Sequence, residues 1–406
     1  VQKSSEKIPC YGEVEKALKT AIPYLPPFSE MKYFIQCIVK SFQASASEDS
    51  DRRIVIMGSV LPEEIIYACR EKPHWVLGGS SQMAALADYA VPRDTDSISK
   101  SSLGFLLREK EDSLIIIPLV NDSSRKLAYI LENEGKNVLT ISIPPEKSDV
   151  GFREYECQIN RCIWELCRHT KRIVTRKALG VACRDVSYAY EHLAAFEELA
   201  DDRDDVVSGV CRMLVAFSYY CAEDITEWTD RLSALNVRIK KTPERKGASD
   251  RARVLLTGSP IYFPNYKIPF LAQETGFQII GCADYSTLKL ISSSSHGGES
   301  YLSFRNMLRE KYDSDCSPAY SNNDSYFDAV KRMILQKRPD GIIYHVLKGQ
   351  IEYDFELNRL EKVFSEYDIP FIRLETDYNP QDIEQLRLRM EAFSEILHQN
   401  QYRKGE

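Results

Sequence analysis

Three short stretches hold the side chains best able to do chemistry. Gly58-Ser59 follows an apolar run and precedes Pro62-Glu63-Glu64, so a tight turn, a hydroxyl and a helix start stand together. A helix start presents unpaired N–H groups and suits an anion; the alternative is that Glu63 and Glu64 only complement the helix dipole. Residues 92–105 are polar, lack alternation and precede an apolar run, and they read as an ordered loop crossing a strand end, a usual place for function. Within it Lys100 can pair with a phosphate or carboxylate, the alternative being a solvated lysine. Tyr344-His-Val-Leu-Lys-Gly-Gln350 leaves a strand at its carboxyl end, where alternation aims His345 and Leu347 to one face and Tyr344, Val346 and Lys348 to the other. His345 is the best placed of the six histidines for acid-base work; a hydrogen-bonded structural role is the alternative.

The eleven cysteines include no C-x-x-C, which removes the commonest zinc, thioredoxin and ferredoxin signatures. Their odd number and irregular spread suit reduced thiols rather than a disulfide framework. Cys157, Cys162 and Cys167 recur every five residues on an expected helix, about 140° apart around its axis, and read as buried small apolar residues with no shared metal face. Cys316, in Asp315-Cys-Ser-Pro318, is the best candidate for an isolated reactive thiol, although no neighbouring base marks it. No metal site is expected from spacing.

These stretches must be held by strands. Arg53-Ile-Val-Ile-Met57, His74-Trp-Val-Leu77, Leu114-Ile-Ile-Ile117 and Asn137-Val-Leu-Thr-Ile141 are short apolar runs separated by helical patterns, which predicts a parallel sheet over residues 51–150. Arg253-Val-Leu-Leu256, Phe277-Gln-Ile-Ile280, Gly341–Leu347 and Pro370-Phe-Ile-Arg-Leu374 repeat the pattern over residues 246–406, with a last helix from about Gln381. Residues 1–50 read as an amphipathic helical segment broken at Pro23 and Pro26-Pro27, closing on a polar linker at residues 44–50, and residues 151–245 as a helical insert or bridge. The expected fold class is therefore α/β, two Rossmann- or flavodoxin-like parallel-sheet domains with a helical N-terminal segment and a helical insert between them. Arg53-Ile-Val-Ile-Met-Gly-Ser59 answers Arg253-Val-Leu-Leu-Thr-Gly-Ser259, so the units look like a diverged repeat. Ligands bind beyond the carboxyl ends of parallel strands, so Gly58-Ser59 and Gly258-Ser259 should flank clefts or one shared cleft; two tight turns without a ligand are the alternative.

With 406 residues, 43% of them hydrophobic, the chain can bury a large core. The net charge of -7 with scattered basic residues argues against nucleic acid. The longest apolar stretch, residues 113–120, is too short for a bilayer, and Val1 to Cys10 carry neither an apolar core nor a cleavage signature, so a cytoplasmic location is expected. The absent initiator Met suggests processing.

Pro62-Glu-Glu-Ile-Ile-Tyr-Ala68, Gly78-Gly79, Lys100-Ser-Ser-Leu-Gly-Phe105, Asp340-Gly-Ile-Ile-Tyr-His-Val-Leu-Lys-Gly349, Glu375-Thr-Asp-Tyr378, Gln385-Leu-Arg-Leu-Arg389 and Glu391-Ala-Phe393 together resemble the 2-hydroxyacyl-CoA dehydratase and benzoyl-CoA reductase family. The likeness runs through most of the chain, with little from residues 151–250. It implies a 4Fe-4S cluster held between two domains by cysteines at strand ends, pairing with a related subunit, and a separate ATP-hydrolysing activator. An electron from the activator would turn an acyl-CoA thioester into a ketyl radical. The three cysteine positions of that pattern fall here on Gly58, Asp96 and Gln350. None offers the thiolate that a soft cluster requires, so no cofactor is expected in this chain. Cys69 lies inside the helix and is no simple substitute; Cys282 and Cys316 are too few for a cubane.

The resemblance implies a cluster-free subunit that contributes to acyl-CoA binding and complex assembly with a cluster-bearing homologue, or with a second copy. An independent cluster-free enzyme acting on a thioester is the alternative, with Ser59, Glu64, His345 and Lys348 as acid-base or oxyanion groups. Gly58, Asp96, Lys100, Ser101, Ser259 and Gln350 would contact substrate. A hard-metal site on Asp96 and Gln350 oxygen is a third reading, with few ligands to support it.

Overall fold

Eight parallel strands form where the apolar runs lie: β1 (Ile54–Met57), β2 (Pro73–Val76), β3 (Leu114–Leu119), β4 (Asn137–Ser142), β5 (Ala252–Gly258), β6 (Phe277–Ala283), β7 (Gly341–Leu347) and β8 (Phe371–Thr376). They make two four-stranded sheets of matching order, β2-β1-β3-β4 and β6-β5-β7-β8. In register, Ile54 pairs with Pro73 and Leu114, and Val254 with Gly341. The chain reverses direction across each sheet between β1 and β3 and between β5 and β7, which opens a crevice beyond the carboxyl ends. β7 is buried along its whole length, as expected of a central parallel strand covered on both faces. The computed structural model describes residues 10–44, 53–244, 251–291 and 301–405. The expected linker falls outside these residues from position 45 onward.

The helices are α1 (Tyr11–Ala21), α2 (Met31–Ala44), α3 (Glu64–Ala68), α4 (Ser81–Ala87), α5 (Ser97–Arg108), α6 (Asp122–Asn133), α7 (Asp149–Thr170), α8 (Arg176–Asp202), α9 (Gly209–Tyr219), α10 (Ile225–Lys241), α11 (Lys267–Glu274), α12 (Tyr285–Ile291), α13 (Tyr301–Ser314), α14 (Asp324–Lys337), α15 (Glu352–Glu366) and α16 (Ile383–Gly405). Side-chain oxygens start many of them: Asn121, Ser148, Thr175, Ser208 and Asp224 each accept a first-turn N–H. No helix of the described residues is long and apolar enough to cross a membrane.

The loop expected over residues 92–105 is instead mostly helix, α5. Asp96 caps it, its Oδ1 accepting from Ser99 N at 2.9 Å. The apolar signal is weak in its first half because the buried residues there, Ser99, Ser101 and Ser102, are small and polar; Leu103, Phe105 and Leu106 follow, and Gly104 brings α5 close to Met83 of α4. One apolar core joins Phe34 of α2, Phe217 of α9, Trp228 of α10, Ile115 of the first sheet and Phe263 and Leu256 of the second unit. The helical insert therefore packs against both sheets. A second cluster places Met307, Leu308 and Tyr312 of α13 against Phe152, Tyr155 and Ile159 of α7 on the outer side of the first sheet.

Candidate functional site

The carboxyl ends of the two sheets face each other, and the crevice between them has a free volume of about 40 Å³. Met57 and Gly58 at the end of β1, Pro118 in β3 and Val120 just beyond it, and Gln350 and Glu352 beyond β7 line it. A water needs roughly 10–15 Å³ of such space, so the crevice holds a few water-sized bodies.

Four hydrogen bonds close the seam around it. Gln350 Nε2 donates to Asp96 Oδ1 at 3.2 Å, Asn121 Nδ2 to Glu352 Oε1 at 3.1 Å, Gly79 N to the Tyr378 hydroxyl at 3.2 Å, and Tyr378 N to Ser97 Oγ at 3.2 Å. Two glycines allow the close approach. A Cβ on Gly349, at φ +90°, would sit 2.6 Å from Asp94 O, and one on Gly79, at φ +95°, would sit 2.4 Å from Phe263 O. Both conformations also favour glycine by their positive φ. Gln350 is 6% exposed, and its Oε1 finds no hydrogen-bond partner among the described residues. Burial raises the Glu352 carboxyl, the Asn121 bond opposes that, and the Asp96 charge adds to it.

The residues singled out as acid-base candidates occupy separate surroundings, and no hydrogen bond or ion pair joins any two of them. Ser59 is fully buried. His345 Nδ1 donates to Ser259 O at 3.0 Å, and burial holds the ring down at about 4, so it is neutral near pH 7. Lys348 is exposed and paired with Asp377 at 3.1 Å. Glu64 belongs to a buried ionic group described below. Of the residues expected at substrate, Gly58 and Gln350 line the crevice, with Asp96 behind Gln350. The Ser101 hydroxyl accepts from Ser80 N at 3.0 Å, and Ser259 Oγ accepts from Leu347 N at 3.0 Å. Both serines are buried and serve the fold. Lys100 and Lys348 line an open groove of about 680 Å³ outside the seam, together with Arg93, Ser97 and Gly349. Lys100 is held there by Asp88 at 2.9 Å and by Arg93 O at 2.9 Å.

Sequence reasoning missed the charged group at the helix start. Glu63 is fully buried; its Oε1 accepts from the Tyr190 and Tyr219 hydroxyls, each at 2.7 Å, and its Oε2 from Lys289 Nζ at 2.7 Å. Lys311 lies 2.6 Å from Glu64 and 3.8 Å from Glu63. Burial alone would raise Glu63, but Lys289, Lys311 and the hydrogen bonds outweigh it and hold its carboxyl well below the ordinary range. Burial raises Glu64, with the Glu63 charge adding to it against the pull of Lys311. The acids thus bind α3 to α8, α9, α12 and α13 and do more than complement a dipole. The visible signal was Pro62-Glu63-Glu64 itself; nothing near it in sequence announces Lys289 or Lys311. Glu13 of α1 was also missed: its carboxylate accepts from Ser81 N at 3.1 Å and from the Ser80 and Ser81 hydroxyls, tying the N-terminal helix to the turn after β2.

Two expectations about thiols change. Cys316 is buried, and burial pushes its thiol up to about 12, so it is not a reactive thiol near neutral pH. Cys157 is exposed, Cys167 half-buried and only Cys162 buried, so the five-residue series does not share one apolar environment.

The residues at the crevice do not fit the iron-sulfur cluster that the resemblance implies. Gly58 has no donor atom, Asp96 and Gln350 offer oxygen and are hydrogen bonded to each other, and about 40 Å³ cannot hold a cubane. Cys282 is buried on β6 with its Sγ 3.0 Å from Asp284 Oδ2, and burial raises its thiol well above the ordinary value. No group of three or more His, Cys, Asp or Glu among the described residues could hold a metal ion.

In comparisons with known proteins, the family model described as 2-hydroxyglutaryl-CoA dehydratase, D-component, matches residues 59–397. No curated protein matches the chain.

Proposed function

The chain belongs to the 2-hydroxyglutaryl-CoA dehydratase D-component family, and from that premise we propose that it acts in the cytoplasm as a cluster-free subunit of a dehydratase-type complex. Its partner is a homologous subunit that bears the iron-sulfur cluster, and an ATP-dependent activator supplies the electron to that partner. The observation that carries this reading is the donor set at the crevice. Asp96 and Gln350, at two of the positions where cysteines are expected, make a hydrogen bond across the seam, and the third position is Gly58. What a cluster does by coordination, holding two units together, is done here by polar contacts.

The contribution to acyl-CoA binding is assigned to the outer groove rather than the crevice, because the crevice is too small for a nucleotide or pantetheine segment and the groove is not. Lys100, Lys348 and Arg93 supply cations there and Ser97 a hydroxyl, and a phosphate would have to displace Asp88 from Lys100 and Asp377 from Lys348. The alternative of a self-contained acid-base enzyme has no comparable support, since Glu64, His345 and Lys348 are each engaged apart from the others and Ser59 is fully buried. The test is anaerobic affinity purification of the tagged chain from its native host. Recovery of a homologue with cysteines at the positions of Gly58, Asp96 and Gln350 is expected. A homodimer that turns over an acyl-CoA thioester alone would overturn the proposal.

A further inference from the structure

The crevice is small, and a few oxygen and amide groups break an otherwise largely apolar lining. Its lining contains Gln350, Glu352, Asn121, Tyr262 and Tyr285 but no lysine, arginine or histidine. Gln350 turns its amide nitrogen to Asp96, which leaves its oxygen as the group without a partner among the described residues. The reverse orientation would set the oxygen against a carboxylate, so the assignment follows from chemistry. Glu352 accepts from the Asn121 amide on its Oε1 and from its own backbone N–H. Asp96 is near enough to act on Glu352 as a second like charge. A bare carbonyl oxygen and two carboxylates at low dielectric are unfavourable unless something positive sits among them.

We propose that this crevice binds one monovalent hard cation, potassium or sodium, through Gln350 Oε1 and the Glu352 carboxylate, with Asp96 supplying balancing charge from behind the amide. The chemistry of the donors selects the class of ion. All are oxygens, which disfavours soft metals. Magnesium demands near-ideal octahedral geometry and calcium is usually held by several carboxylates, whereas potassium is held well by amide-type carbonyl oxygens. A volume of about 40 Å³ accommodates one such ion with one or two waters. Both ligands belong to the second unit, and the first contributes Asp96, which holds the Gln350 amide in place across the seam. The inference rests on the cluster-free reading of the crevice, and iron analysis separates a failure of that reading from a failure of this one.

The experiment is thermal unfolding of the full chain in choline chloride, with potassium, sodium or magnesium chloride titrated in at fixed ionic strength. A saturable rise in midpoint of about 2 °C or more is expected in potassium or sodium. The rise should vanish in Gln350→Leu and in Glu352→Leu, each of which removes a side-chain oxygen, and each is compared with its own midpoint in choline. Equilibrium dialysis of the wild-type chain against rubidium should find one bound ion that potassium displaces. Equal midpoints in all salts, a rise in magnesium alone, a rise retained in both variants, or no bound rubidium would each overturn the proposal. Indifference to the salt would mean that Glu352 instead carries a proton.

Discussion

Replacing Glu63 by Gln tests whether the buried ionic group at the start of α3 holds the units together. Glutamine is nearly isosteric, and its Oε1 can still accept from the Tyr190 and Tyr219 hydroxyls, so the change removes chiefly the charge that faces Lys289 at 2.7 Å. Glu63 is fully buried and the Lys289 side chain is 15% exposed, so little water screens the pair. Removing one partner of such a pair leaves a charge in low dielectric and costs about 3–5 kcal/mol, against about 5–15 kcal/mol of net stability in an ordinary domain. Urea denaturation followed by circular dichroism should show the loss at pH 7. Adding Lys289→Met should recover most of it, because replacing both partners of a buried pair by uncharged groups is often close to neutral. The pH dependence has a definite sign. A carboxyl held below its ordinary value stabilises the fold above that value, near 4.5, and loses the contribution as pH falls toward about 2. The gap between wild type and Glu63→Gln is therefore full above about pH 5 and narrows as the pH drops. A variant within about 1 kcal/mol of wild type at pH 7, or a gap indifferent to pH, would refute the reasoning.

Asp96→Ala should cost roughly 1–3 kcal/mol, from the lost cap of α5 and the lost acceptor for Gln350, and a double-mutant cycle with Gln350→Ala should give a coupling of about 1 kcal/mol where unconnected sites give none. Native thiol labelling near pH 7 should modify Cys157 first and leave Cys316 and Cys282 unreacted until the chain unfolds; Cys157→Ser should remove the fast phase, and rapid labelling of Cys316 would contradict its burial. Lys100→Ala and Lys348→Ala should each weaken binding of an acyl-CoA by about three- to tenfold in calorimetry, more at low salt than at high; unchanged affinity would remove the groove from consideration.

Much of the architecture was legible because parallel α/β sheets write themselves as short apolar runs. Each of the eight expected runs became a strand, and β7 took the expected span. The α5 region misled because the buried residues of its first half are serines, where hydrophobic periodicity carries no signal, and Leu103, Phe105 and Leu106 come only afterwards. The site was legible only at one end of each contact. Pro62-Glu63-Glu64 could be flagged, but Lys289 and Lys311 lie more than two hundred residues away, and pairs so distant leave no local mark. Likewise Asp96 and Gln350 could each be noted at a strand end, while their hydrogen bond depends on two sheets facing each other. Thiol burial failed for the same reason. Cys157 and Cys316 have ordinary neighbours in sequence, and only the packing of α7 and of the segment before α14 decides which one meets solvent.

Iron and acid-labile sulfide, measured on the chain after strictly anaerobic purification and again after reconstitution with iron and sulfide, address the central claim most directly. Oxygen and hydrogen at the three crevice positions predict no stoichiometric iron in either sample and no charge-transfer band in the visible spectrum. Four iron and four sulfide per chain, lost on substitution of Cys282 or another thiol, would contradict the account.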